Sequence, residues 1–223
     1  MSGAAKKSGQ KCIFVEMTLE KWIEQYDVPG AVVLLEGKRE VAEADRPHLT
    51  ALGRLLAFRT RHTIFRSGNA PGSDQLFSEG VASVDPKRLE VITPYQGHRN
   101  SSNPACRTYS LDQIDLASEP EVVYQSLTGG RNDHLISRYA DGNRDQVSLK
   151  AAYLLRDTVK VIGASHIPSA SFGIFYDHLE NPGTGGTGHT MGVCEKNQVP
   201  FINQAVWMAW LAGPNPLNGG SRT

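Results

Sequence analysis

The chain lacks most of the features that would assign it to a specialised class. Lys+Arg and Asp+Glu each number 23 in 223 residues, so the formal net charge is zero. The basic excess of a nucleic-acid binder is absent at whole-chain level, which disfavours nucleic acid as a partner. The three cysteines, Cys12, Cys106 and Cys194, are odd in number and far apart. That spacing argues against a disulfide framework or a zinc knuckle and fits incidental thiols in a reducing compartment. No apolar run is long enough to span a bilayer. The opening segment MSGAAKKSGQK carries charge without the apolar stretch of a signal peptide behind it. A cytoplasmic protein with no membrane partner is expected. No repeat of 20–50 residues is visible. No Lys-Ser/Thr pair follows the glycine-rich segments, so neither is a Walker A loop, and there is no G-x-S-x-G elbow. The seven histidines show no H-E-x-x-H or other ligand spacing, so no metal site is expected.

What is present is an alternation of strand and helix patterns. Ala31-Val-Val-Leu-Leu35 is a continuous apolar run of the kind found in strands buried on both faces. Thr63–Arg66, Leu89–Thr93, Val159–Gly163, Ser171–Tyr176 and Val199–Ile202 are further strand candidates. Helical spacing marks residues 18–27, Asp45–Phe58, Asp74–Ala82, Asn143–Asp157 and His189–Lys196. Asn143 with Gln146 three residues on fits a capping box. Residues 98–141 break the rhythm with polar loop, one helix over Leu111–Leu127 interrupted near Pro120, and Thr128-Gly-Gly130, and read as an insertion or lid. The expected domain covers 18–212, between a loose tail at 1–17 and a second tail at 213–223. Strands alternating with helices imply βαβ units and a parallel sheet, hence a doubly wound, three-layer α/β fold.

In such a sheet the loops that follow strands gather at the carboxyl edge, where ligands bind. That rule collects Gly37, Lys38 and Arg39 after the first strand. It adds Ser67, Gly68, Asn69, Gly72 and Asp74 after the second, Pro94–Arg99 after the third, and Gly185, Gly186, Thr187, Gly188 and Thr190 near the end. Arg144, placed at the start of the 143–157 helix, joins them. Small residues running into helix N-termini let backbone N–H groups approach an anion, and the helix dipole favours negative charge there. The expectation is a phosphate-binding edge. Asp74 reads equally well as a capping acid, a ribose partner or a scaffold for its loop. Gly183-Thr-Gly-Gly-Thr-Gly188 matches G-x-G-x-x-G, but it lies at the end of the chain with no βαβ unit after it. A standard dinucleotide-binding dehydrogenase is therefore disfavoured.

These loops together resemble the SLOG superfamily, whose members are Rossmann-like. The resemblance rests on Arg66-Ser-Gly-Asn-Ala-Pro-Gly-Ser-Asp74, on Gly185-Gly-Thr-Gly188 and on Val199-Pro-Phe-Ile-Asn203, and spans 31–203 apart from 98–141. The superfamily includes the Lonely Guy phosphoribohydrolases, the molybdenum-cofactor carriers, the DNA-processing protein of natural transformation, and uncharacterised phage and bacterial proteins. The hydrolase motif P-G-G-x-G-T-x-x-E, laid on Pro182–Thr190, keeps the proline, two glycines and Thr187. It puts Thr184 at the second glycine and Thr190 at the catalytic glutamate. The resemblance implies a nucleotide or nucleotide-derived ligand held by its phosphate, with the protein acting as a sensor and requiring no cofactor. Catalysis stays open: Arg144 and Asp74 would be the catalytic pair of a phosphoribohydrolase, since breaking an N-glycosidic bond needs a carboxylate. A pterin carrier is a further alternative. The apolar Trp207-Met-Ala-Trp210-Leu segment leaves a homodimer contact or packing against the sheet as its two readings.

Overall fold

The computed structural model describes residues 17–128 and 132–212. The tails expected at 1–17 and 213–223 fall, apart from Met17, outside these residues, as do Cys12 and Gly129-Gly130. Six strands form one sheet: β1 (Val32–Gly37), β2 (Ile64–Ser67), β3 (Leu89–Thr93), β4 (Arg107–Ser110), β5 (Phe172–Tyr176) and β6 (Phe201–Asn203). Their spatial order is β4-β3-β2-β1-β5-β6, and every pairing is parallel. The chain steps outward from β1 through β4, then returns to the other side of β1 with β5. The switch point therefore lies between β1 and β5, where Gly37 is in register with Tyr176. This is a Rossmann-like α/β fold.

Helices cover both faces. On one face α1 (Leu19–Tyr26), α2 (Arg46–Arg59), α3 (Ser73–Ala82) and α8 (Gln204–Leu211) share a core with alternate sheet residues Val33, Leu35, Phe65 and Ile174. In α1, Leu19, Trp22 and Tyr26 fall three and four residues apart, so one stripe of a short helix is buried. Trp207 and Trp210 pack into the same core; Trp207 Nε1 donates to Phe175 O at 2.9 Å. The Trp207–Leu211 segment thus packs back on the sheet. On the other face lie α4 (Pro120–Ser126), α5 (Asp133–Ala140), α6 (Leu149–Ile162) and α7 (Gly185–Lys196). Among the described residues no helix is long and apolar enough to cross a membrane.

Several sequence expectations shift. Residues 159–163 are not a strand; they finish α6. Val-Lys-Val-Ile has the β-branched composition of a strand. Here α6 is packed between the sheet and its neighbouring helices, so Val159, Lys160 and Val161 are all buried and tertiary packing overrides propensity. The same helix begins at Leu149 rather than Asn143. Asp145 accepts from Ser148 N at 2.7 Å and closes a turn there, while Asn143 Nδ2 donates to Arg138 O, so the capping box is unused. Val147, expected on the buried face, is exposed. The helix expected over 111–127 resolves into two short turns followed by α4, which opens on Pro120. Residues 98–141 also supply β4, an edge strand too short and polar to show alternation. Finally α7 starts at Gly185, four residues early, so the glycines are its first turn rather than a loop.

Candidate functional site

The carboxyl edge of the sheet holds an open cleft of about 640 Å³ at the switch point. Its walls come from Glu36–Glu40 at the end of β1 and just beyond, from Ala70 and Asp74, from α6, and from the β5–α7 segment with the first turn of α7. Of the residues expected at a binding edge, Gly37, Lys38, Arg39, Asp74, Gly185, Gly186 and Thr187 line it. Ser67, Gly68, Asn69, Gly72, Gly188 and Thr190 do not, and they act on the walls instead. Gly72 has φ +87° and packs so closely on the Arg39 carbonyl that a Cβ would sit 2.0 Å from its oxygen, so only glycine fits. Gly68 gives its N–H to Asp74 Oδ2 and its carbonyl to Arg156. Asn69 adopts φ +55° and donates to Arg99 O at 3.2 Å. Gly188 N bonds Thr184 O, and buried Thr190 donates to Gly186 O at 3.2 Å, securing the first turn of α7. Ser67 is buried, with no hydrogen-bond partner for its hydroxyl among the described residues.

Arg144 is a clear departure. It is exposed, donates to Tyr139 O at 2.6 Å and lies 3.8 Å over the Tyr139 ring at the end of α5. Because α6 starts five residues later than Arg144, the arginine belongs to the preceding turn and does not line the cleft.

Asp74, in the first turn of α3, is buried and joins two loops. Its Oδ1 accepts from Gly37 N at 3.2 Å, and its Oδ2 accepts from Gly68 N at 3.2 Å and Ala70 N at 3.3 Å. Ser73 reinforces the link through its hydroxyl to Lys38 O at 2.7 Å. Burial raises the Asp74 pKa against the pull of Lys160 and Arg156.

Beneath the cleft lies an ionic network the motifs did not reveal. Lys160 Nζ is 2.6 Å from Glu36 Oε1 and 2.7 Å from Asp157 Oδ1, and Arg156 Nε is 3.0 Å from the same Asp157 oxygen. Arg156 NH1 donates to Gly68 O at 2.6 Å. All four residues are buried and all four line the cleft. Burial pushes the Glu36 carboxyl up to about 7, with Lys160 pulling the other way. For Asp157 burial also acts upward, but Arg156 and Lys160 outweigh it and hold the carboxyl below its usual range. The network continues under α6, where Arg66 pairs with Glu90 at 2.6 Å and donates to Lys160 O at 2.8 Å. A signal for it existed. Glu36 closes the run Val32-Val-Leu-Leu-Glu, and Lys160 interrupts Val159-Lys-Val-Ile. A charge inside a fully buried apolar run implies a buried partner.

Above this floor the rim carries cations and rings, with the exposed Glu40 beside them. Lys38 sits 5.1 Å over the Tyr176 ring, Arg39 and Lys150 are exposed, and Arg99 follows β3. Among the described residues none of these four cations forms an ion pair. Tyr95, His98 and Tyr153 cluster beside them, with ring centroids 4.9 Å apart for Tyr95–His98 and 5.8 Å for His98–Tyr153. Tyr153 also lines the cleft. Among the described residues no group of three or more His, Cys, Asp or Glu could hold a metal ion.

Fold and site together define a Rossmann-like α/β domain with a charged cleft at its carboxyl edge. Among solved structures, DNA processing protein A from Helicobacter pylori, described for its unique single-stranded DNA binding mode, is similar. The TM-score is 0.41 and the identity 17%, over 81% of this chain and 67% of that one. No family model and no curated protein matches. Single-stranded DNA binding is described for that neighbour, and two expectations stand against it: that nucleic acid is disfavoured as a partner, and that the ligand is a small nucleotide or pterin, or a substrate for glycosyl-bond hydrolysis. A net charge of zero sums the whole surface, whereas Lys38, Arg39, Arg99 and Lys150 gather at one edge.

Proposed function

We propose that this chain is a SLOG-type Rossmann-like domain, acting in the cytoplasm, whose carboxyl-edge cleft binds a single strand of nucleic acid. One observation carries the reading: four cations that form no ion pair among the described residues, Lys38, Arg39, Arg99 and Lys150, stand at the same edge as the ring cluster Tyr95, His98 and Tyr153. Cations follow the phosphodiester backbone and rings accept the faces of bases, a combination suited to unpaired strands because duplex bases offer no free face. Among the described residues no side chain caps the start of α7, so the N–H groups of its first turn add donors for a phosphate at the cleft wall.

The test is fluorescence anisotropy with a labelled oligothymidylate carrying a 5′-hydroxyl, titrated at several salt concentrations. Each phosphate neutralised on a single strand contributes about −0.7 to the slope of log K against log salt. Four rim cations therefore give a slope of about −2 to −3. No binding at low salt, or binding without salt dependence, would falsify the proposal.

A further inference from the structure

The cleft floor holds more acid than base. Glu36, Asp74, Asp157 and Asp177 are carboxylates with 2–4% exposure, and the buried cations that line the cleft with them are Arg156 and Lys160. Three of the acids are well compensated. Asp74 accepts three backbone N–H bonds, Asp157 lies against both Arg156 and Lys160, and Asp177 accepts from Gly183 N at 3.0 Å. Among the described residues the one cation paired with Glu36 is Lys160, which it shares with Asp157. Among the described residues neither its Oε1 nor Asp157 Oδ1 receives a hydrogen bond of good geometry, but Asp157 has a second cation against it and Glu36 does not. A strand entering this cleft brings phosphates, and so further negative charge, over a carboxylate that is already the least compensated.

We propose that Glu36 takes up a proton when a strand occupies the cleft, so that binding tightens as the medium becomes more acidic. The inference rests on the nucleic-acid reading of the same site. Every element packed around Glu36 has a role in the charge count. Just beyond β1 lies Lys38, out on the rim, and on β5, where Phe175 is in register with Glu36, the titratable neighbours are Tyr176 and, just after the strand, Asp177. From α3 comes Asp74, and from α6 come Arg156, Asp157 and Lys160. On β2, Arg66 is engaged by Glu90 of β3. From α7, Cys194 has its thiol pKa raised by burial and then by Glu36, and His189 has its pKa lowered by burial, so both favour their neutral forms. Burial holds Glu36 at about 7, so its proton is exchanged near neutrality rather than in acid.

The experiment is the same anisotropy titration at constant salt from pH 6 to 8, with an oligothymidylate whose 5′ end is a hydroxyl so that the ligand does not itself titrate. If the bound state requires the proton, the dissociation constant rises about tenfold between pH 6 and 8. Glu36→Gln carries a permanently neutral side chain of the same shape, binds at pH 8 as the wild type does at pH 6, and shows a flat profile. His98→Gln and His178→Gln weaken binding but keep the slope. Calorimetry of the wild type at pH 7, in two buffers of different ionisation enthalpy, gives about half a proton taken up per strand and needs no folded variant. Absence of binding at every pH refutes the nucleic-acid reading itself. Binding that is independent of pH, a slope that survives in Glu36→Gln, a slope lost in a histidine variant, or no proton uptake each overturns this inference alone.

Discussion

Asp74→Asn is the perturbation that tests the architecture of the cleft most directly. The carboxylate accepts three backbone N–H groups, one from the loop after β1 and two from the loop after β2. Asparagine keeps the size but has one oxygen. If that oxygen faces Gly68 and Ala70, the side-chain amide points a donor at the Gly37 N–H. If it turns the other way, two N–H groups lose their acceptor. A hydrogen bond to a charged acceptor is worth about 1.5–3 kcal/mol, and these three, at 3.2–3.3 Å, belong at the lower end. One or two donors left facing a donor then cost about 2–4 kcal/mol. Part of this is returned, because the carboxylate charge is disfavoured by its burial beside Asp157. The expected net loss is about 1–3 kcal/mol, read as a lower urea midpoint at unchanged slope. Strand affinity falls with it, because Lys38 and Arg39 are no longer tied to the β2 loop. A variant with wild-type stability and affinity would refute the assignment of Asp74 as the joint between the two loops.

Other consequences follow from single contacts. Arg39→Ala and Lys150→Ala each reduce the salt slope of oligothymidylate binding by about 0.7, measured by repeating the titration from low to moderate salt. Tyr153→Ala loses about 1–3 kcal/mol of strand affinity through lost stacking, whereas Tyr153→Phe retains most of it; equal losses in the two variants would contradict the stacking role. Arg144→Ala leaves strand affinity unchanged in the same assay, since its guanidinium is occupied by Tyr139. Trp207→Ala opens a cavity in the α8 core and costs about 3–5 kcal/mol in urea denaturation.

The sequence made the frame of this molecule legible wherever burial follows a simple period. Val32–Leu35 is an apolar run in a strand walled on both sides, and Phe65, Leu89, Val91 and Ile92 are buried in the strands beside it. The loops after β1 and β2 could be placed from that frame, and seven expected residues meet in one cleft. Illegibility came from three physical sources. Residues of α6 are buried all round its last turns, so Val159–Ile162 lost helical periodicity and read as a strand. At the far edge of the sheet, Arg107–Ser110 packs too little apolar surface to write a pattern. The floor of the cleft depends on Glu36 meeting Lys160 and Asp157, residues more than a hundred positions apart, and no local spacing encodes that meeting. Arg144 was misplaced for a separate, local reason: its position hung on where α6 begins, and the turn that Asp145 closes with Ser148 delays that start to Leu149.

The placement of the three tryptophans has a practical outcome for anyone handling this protein. Trp22, Trp207 and Trp210 all sit in the core formed by α1, α2, α3 and α8, and none lines the cleft. Indole emission will therefore follow the unfolding of that core while staying blind to occupancy of the edge. The chromophores that face an incoming ligand are tyrosines, Tyr153 above all. Selective excitation of indole monitors folding, and tyrosine absorbance difference spectra monitor binding, so one unlabelled sample yields both signals separately.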